Sequence, residues 1–506
     1  MLSAIPLAQI VPYPAPAMRK SRHGDYLIAA AASAVMVLVF VALSEREIHW
    51  FLFPVIACGI LTGADVVAWL RGRADLFDPL TAIACLGYYG FFVAPLLHIL
   101  WDRFGAGYDY IMWDDPRTWL GAMAALTALA LGCFRLAHAW AFRNSSGVKA
   151  RWEINRKRFY PVFAIALLLS IVGVISFIAE FGGILGIIKA YEQDQEAFIG
   201  KGWLLVLAWP LAVLSFISVA IIATERKQQF RRGLWFGLIL MGAAGAAHFV
   251  MMGWYGSRSA TVWCLFWMAG IVHARFRKLP PSVLAASVIC FIGFMYFYGF
   301  YKDRGREAVD VVSSPEIWMQ HQEGYQRDLK AMFLGDLARA DTDAYLLHNL
   351  VRDPQDYDYR WGLTYLGGLS ILIPRNFWPD RPEFKVLAGT EAQLGRTAVS
   401  RSSRVYGLAG EALLNFGPLG VPPMFALFGT ALGWYRRKLQ SLEAVDSRQL
   451  IAPFFTVLFI LGLVMDTDNI VFAAVTKGAL IFIAIFAASR RSTASMHMPV
   501  ETHLSR

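Results

Sequence analysis

Residues 151–180 read RWEINRKRFYPVFAIALLLSIVGVISFIAE. Four basic side chains, Arg151, Arg156, Lys157 and Arg158, stand before a run from 159 to 179 that contains no charged residue. At the α-helical rise per residue such a run covers roughly 30 Å, the thickness of a hydrocarbon core. A soluble fold has no use for so long a stretch without a polar face, and the basic cluster at one end is what anchors a span on its cytoplasmic side.

The same reading recurs along the 506-residue chain. Spans are predicted at 26–43, 48–70, 79–100, 118–134, 159–179, 203–223, 233–252, 260–273, 281–301, 419–435, 450–465 and 470–488, the eighth being short. With 57% apolar and 17% charged residues and a mean hydropathy of +0.47, the composition is that of a bilayer protein. The first 18 residues carry prolines and lack an apolar core behind a charged start, so no cleavable signal peptide is expected; Arg19, Lys20 and Arg22 precede the first span instead. Cys58, Cys85, Cys133, Cys264 and Cys290 all fall inside predicted spans and have no metal-ligand spacing.

Lys and Arg residues alternate between successive polar segments. The short segments on one side hold 26 and those on the other hold 6, which predicts a cytoplasmic location for both termini. The net charge of +10 is therefore a topological signature that also favours anionic headgroups, and nucleic acid is not an expected partner. The expected fold class is an all-α polytopic membrane protein of about twelve transmembrane helices. Its parts are a cytoplasmic N-terminal tail (1–25), helices 1–9 (26–301), one large outward segment (302–418), helices 10–12 (419–488) and a cytoplasmic tail (489–506).

The outward segment holds 14 basic and 16 acidic residues, a balance that suits a folded surface or site. A helix is predicted from Pro315 and another from about Asp336 to Val351, where Leu337, Ala340, Ala344, Leu347 and Val351 recur at intervals of three and four. WGLTYLGGLSILIP (361–374) is apolar but too short to span, and Gly367 and Gly368 break it; a re-entrant or interfacial element is expected.

Three groups of residues could carry chemistry. The first is Arg258, Arg339, Arg375, Arg381, Arg401 and Arg404, whose guanidinium groups either bind phosphate oxygens in pairs of hydrogen bonds or form surface ion pairs. The second comprises Asp341, Asp343, Glu411 and the pair Asp466 and Asp468 in VMDTDNI. A carboxylate can act as general base towards a hydroxyl, and it can equally cap a helix or hold an arginine. The third is intramembrane: His248, and Lys477 about 10 Å below the outer end of the last span, with Asp468 as a further pathway group. Such residues form a possible polar site or snorkel and pack. The chain has no phosphate-binding Gly-Lys-Ser/Thr loop, no HExxH, no GxSxG and no spaced His/Cys set, which speaks against ATP hydrolysis and zinc chemistry.

Four stretches, in this order and placement, resemble the O-antigen polymerase group, the Wzy-type oligosaccharide repeat-unit polymerases: DLFDPLTAIACLGYYG (75–90); GSRSA (256–260); DLARADTDAYLLHNL (336–350) with LGGLSILIPRNFWPDRPE (366–383); and GLAGEALLNFGPLG (407–420). The resemblance implies glycosyl transfer at the outer face of a bacterial inner membrane, in O-antigen, capsule or exopolysaccharide synthesis. A growing glycan would leave its polyprenyl diphosphate and join the next lipid-linked repeat unit, with no cofactor and no metal. It implies diphosphate binding by Arg258, Arg339, Arg375 and Arg404, acceptor activation by Glu411 with Asp341 as a second base, and a flippase and a chain-length regulator as partners. An O-antigen ligase shares this outline, and a transporter or flippase of a lipid-linked amphiphile is the rival of a different class.

Overall fold

The computed structural model describes residues 23–45, 47–104, 115–148, 150–193, 198, 201–225, 233–253, 258–304, 329–338, 340–352, 354–355, 357–373, 377–383, 385–395, 404–443 and 446–492. It is an all-α membrane protein with one small strand pair. In order, the helices are α1 (His23–Ser44), α2 (Leu52–Leu70), α3 (Pro79–Trp101), α4 (Pro116–Asn144), then strand β1 (Arg151–Ile154), α5 (Arg156–Glu180), α6 (Ile184–Gln193) and α7 (Gly202–Ala223). They continue as α8 (Gly233–His248), α9 (Arg258–Arg275), α10 (Pro281–Arg304), α11 (Ala340–Arg352), α12 (Leu363–Ser370), α13 (Lys385–Leu394), α14 (Gly407–Phe416), α15 (Val421–Gln440), α16 (Ala452–Val464) and α17 (Thr467–Ala488), ending in β2 (Ser489–Ser492).

Among the described residues seven helices are long and apolar enough to cross a membrane: α1, α2, α3, α4, α5, α7 and α17. Helical segments also stand at the other five predicted positions, and apolar stretches of 10–17 residues lie at Trp235–Met251, Ser282–Tyr298 and Ala452–Val464. The apolar surface that faces outward on α1 and α5, with Leu27, Leu38, Ile165 and Leu168 exposed, is what a helix in contact with lipid carries.

Local chemistry sets the helix starts. Asp78 caps α3 by accepting from Leu80 N (3.0 Å), Asp115 caps α4 through Arg117 N (3.1 Å) and the Thr118 hydroxyl (2.6 Å), and Asn155 caps α5 through Lys157 N (3.0 Å). The tightest pairing is α15 on α4. Gly429 and Gly433, four residues apart, lie against the backbone carbonyl oxygens of Phe134 and His138, which a Cβ would approach to 2.4 and 2.5 Å. Small residues at that spacing let two helix backbones meet in an apolar environment.

Polar contacts gather at two opposite ends of the bundle. At one end, Arg71 and Arg73 hold Asp25, His273 meets Asp75 (2.6 Å), Arg436 grips Asp78 through paired contacts of 2.8 Å, and Arg151 pairs with Glu443 (2.7 Å). There β1 and β2 pair antiparallel, Arg151 opposite Ser492, with Asn155 N donating to Ala488 O (2.8 Å). Neither strand is expected from the sequence: RWEI and SRRS are both too short and too charged to register as strands until each supplies the other's ladder. At the other end described residues between 329 and 416 pack on α3, α4 and the α16–α17 turn. Tyr89 donates to Phe333 O (2.6 Å), His98 Nε2 meets Asp341 (3.6 Å), and Trp119 lies edge-on to His348 at 4.8 Å.

Candidate functional site

The α16–α17 turn, MDT at 465–467, supplies the first group. Asp466 is fully buried; its Oδ1 accepts from Tyr406 N and Gly407 N, both at 2.9 Å, and its Oδ2 pairs with Lys385 at the start of α13. Burial pushes the Asp466 carboxyl up, while the Lys385 ammonium and the Tyr406 N–H pull against it. Gly407, at φ +65° and with Leu463 O 2.8 Å from where a Cβ would sit, lets α14 begin against this turn.

One turn along α14, Glu411 is 3% exposed. Its Oε2 accepts from Thr467 N (2.8 Å) and the Thr467 hydroxyl (2.9 Å), and its Oε1 accepts from the Thr364 hydroxyl (2.9 Å). Asn415, four residues later on the same face, donates to Thr364 Oγ1 (2.6 Å) and Glu411 O (2.8 Å), and its Oδ1 accepts from Gly362 N (2.9 Å). Burial, then the charge of Asp466, raises Glu411 from its ordinary range to about 7 against the pull of the threonine donors. The result is a carboxyl that can hold or release a proton near neutrality, fixed between α12, α14 and the α16–α17 turn.

Tyr365 follows Thr364 on α12, its ring stacked on Phe416 at 6.3 Å. Its hydroxyl is buried without a hydrogen-bond partner, and burial together with the Glu411 and Asp466 charges raises its phenol. The outer side of α12 is a ridge of exposed Leu363, Leu366 and Leu369, continued by Leu372, Ile373 and Phe377. This short helix, with one apolar ridge and one polar, buried side, stands where the sequence leads one to expect a re-entrant or interfacial element.

The structure separates the sequence's candidates. Asp341 (4% exposed) meets His98 on α3, and its Oδ1 accepts from Thr342 N (2.8 Å). Asp343, on the next face of α11, is the one that approaches α14: a Cβ on Gly410 would lie 2.7 Å from its Oδ1. Arg381 caps the end of α12, donating to Ser370 O (3.0 Å) and Ile373 O (2.8 Å). Arg404 is half-buried just before α14. Arg258 is the first residue of α9, with its side chain outside the description; Arg339, Arg375 and Arg401, and the helix expected from Pro315, lie outside the described residues.

The expected group of His248, Lys477 and Asp468 divides. Asp468 sits beside Asp466 in the first turn of α17, with its Oδ1 accepting from Asn469 N (2.9 Å). Lys477 is nine residues further along, roughly 13 Å by helical rise, and His248 lies near Lys477. Sequence reasoning passed over Thr364, Tyr365, Lys385, Asn415 and Thr467, which are ordinary residues until the turn brings them together. It also passed over Asp65, whose ion pair with Arg135 (2.5 Å) joins α2 to α4 inside the bundle. A lone Asp in the apolar run of α2 was the signal for that pair.

Among the described residues no group of three His, Cys, Asp or Glu side chains could hold a metal ion. No family model, curated protein or solved structure matches the chain.

Proposed function

We propose that the chain polymerises polyprenyl-diphosphate-linked oligosaccharide repeat units at the outer face of a bacterial inner membrane, as its resemblance to the Wzy-type polymerases implies. In this reading the twelve helical segments all span, both termini are cytoplasmic and 302–418 is periplasmic. The observation that carries it is Glu411: a buried, proton-holding carboxyl where the polar segment joins the spans, beneath a helix whose other side is an apolar ridge.

The reaction needs what such a group supplies. An acceptor hydroxyl oxygen attacks the anomeric carbon, the bond from that carbon to the diphosphate breaks, and the electron pair leaves on the diphosphate oxygen. The acceptor proton passes to Glu411 through the Thr467 or Thr364 hydroxyl that already donates to it. Arginines of the outward segment, with Arg258, stabilise the departing charge, and the membrane holds both lipid substrates at the site.

The test is Glu411→Gln with protein abundance matched to wild type, scored as polymer formed from purified lipid-linked repeat units in liposomes. A general base is worth about a hundredfold or more in rate, so chain growth should fall by at least that factor. Polymer at the wild-type rate would exclude Glu411 as the base, and lipid translocation without a new glycosidic bond would replace the enzyme by a transporter.

A further inference from the structure

Lys477 occupies the eleventh position of α17, midway along an apolar 22-residue helix, at a widened π-helical turn, Ala474–Gly478. Its ammonium lies 5.1 Å from the centre of the Trp209 ring. His248, 6% exposed, ends α8 just before a second π-helical turn, Phe249–Gly253, and is an electrostatic neighbour of Lys477, as is Cys264 of α9. Widened turns of this kind recur where a helix is shaped around a function.

The polar atoms of this group are donors or can become donors. The Trp209 indole N–H and His248 Nε2 are buried without a hydrogen-bond partner, and so is the indole N–H of Trp263, whose ring packs on the turn of α17 that precedes Lys477. Among the described residues no carboxylate pairs with Lys477; the nearest electrostatic partner is a thiol. Apolar groups surround the cluster, with Phe472 edge-on to Trp209 at 5.8 Å and Met251 packed beside it. A cation and unsatisfied donors buried in an apolar bundle are costly unless an acceptor is supplied, and among the described residues no side-chain acceptor is hydrogen-bonded to them.

We infer that Lys477, Trp209 and His248 form a second, membrane-embedded site that binds an oxyanion, the phosphate group of a membrane amphiphile. Phosphate oxygens provide the negative charge for the ammonium and the acceptors for the indole and imidazole, and the apolar walls receive the chain that carries them. Trp209 contributes its ring face to the cation and its N–H to the anion, so the lysine is held in place when the site is empty. The site is separate from the Glu411 cluster and does not depend on glycosyl transfer.

The test uses the full-length protein in phosphatidylcholine nanodiscs with radiolabelled phosphatidic acid as probe and diacylglycerol as the uncharged control. Wild type should retain phosphatidic acid over diacylglycerol. Lys477→Met should weaken retention roughly ten- to a hundredfold, the worth of a charge-assisted hydrogen bond, and Lys477→Arg should keep most of it. Trp209→Phe keeps the ring and removes one donor, and should cost roughly threefold or more; it also serves if Lys477→Met does not fold. Displacement of the probe by inorganic phosphate at equal concentration would identify a free anion as the source of the same chemistry, and resistance to it would identify the lipid. Equal retention by wild type, Lys477→Met and Trp209→Phe, or no preference over diacylglycerol, would overturn the site.

Discussion

Glu411 shows how much a single residue's surroundings decide. An ordinary glutamate titrates near 4.5, and burial holds this one near 7. Between those values the folded protein keeps a proton that the unfolded chain has released, so the free energy of unfolding falls as pH rises through that window and levels off on either side. The effect is at most about 3 kcal/mol for a shift of this size. Asp466, pushed in the same direction by burial, adds slope of the same sign. The melting temperature of the purified protein should therefore drop between pH 5 and pH 8. Glu411→Gln, whose amide oxygen can still accept from Thr467 while its NH2 faces Thr364 Oγ1, should flatten most of that slope. A wild-type curve that is flat or rises over this range would show that Glu411 is ionised throughout. The sequence puts Glu411 close to the junction of the polar segment with a predicted span and names it as a candidate base. It did not reveal the partners, because Thr364 and Thr467 lie 47 and 56 residues away along the chain and nothing in their own neighbourhoods marks them.

At the scale of the element, α12 is held to the α16–α17 turn at Gly368, where a Cβ would come within 2.8 Å of the Asp468 backbone nitrogen and 3.0 Å of the Thr467 side chain. Backbone cannot yield as a flexible side-chain tip can, so Gly368→Ala must lift α12 off the turn. That movement draws Thr364 away from Glu411. The expected result is a loss of about 1–3 kcal/mol in stability with a larger loss of chain growth, measured by thermal unfolding and polymer yield. Polymer yield and melting temperature both at wild-type levels would mean that this contact does not position the site. Length alone marks 361–374 as an apolar piece too short to span, and the helix found within it, α12, has 8 residues. The sequence predicts no helix at Lys385–Leu394 or Gly407–Phe416, where α13 and α14 lie. Their helical faces carry Lys385 and Glu411, which meet the α16–α17 turn, and Gly389 and Gly410, which lie against Tyr406, a pattern that makes sense only once those partners are in place.

At the scale of the whole molecule, the positive charges predicted two sides, and the contacts at the two ends of the bundle sort the same segments together. The polar stretches before α1, between α2 and α3, between α4 and α5, after α9 and after α15, which the charge count assigns to one side, meet through Asp25, Asp75, Asp78 and Asp446, joined by β1 and β2. Segments assigned to the other side meet through Asp341, His348, Lys385 and Thr467. In the topology proposed here these two groups of segments lie on opposite sides of the membrane. Orientation relative to the cell follows from the positive-inside rule and can be measured directly. In a variant with all five native cysteines replaced, single cysteines at Asp380 and at Arg491, both exposed, report the two ends. An impermeant maleimide added to intact cells should label Asp380→Cys and leave Arg491→Cys untouched until the membrane is opened. If instead both positions labelled from the same side, α15, α16 and α17 could not all cross the membrane, because an odd number of crossings between residues 380 and 491 is what sets these two positions apart.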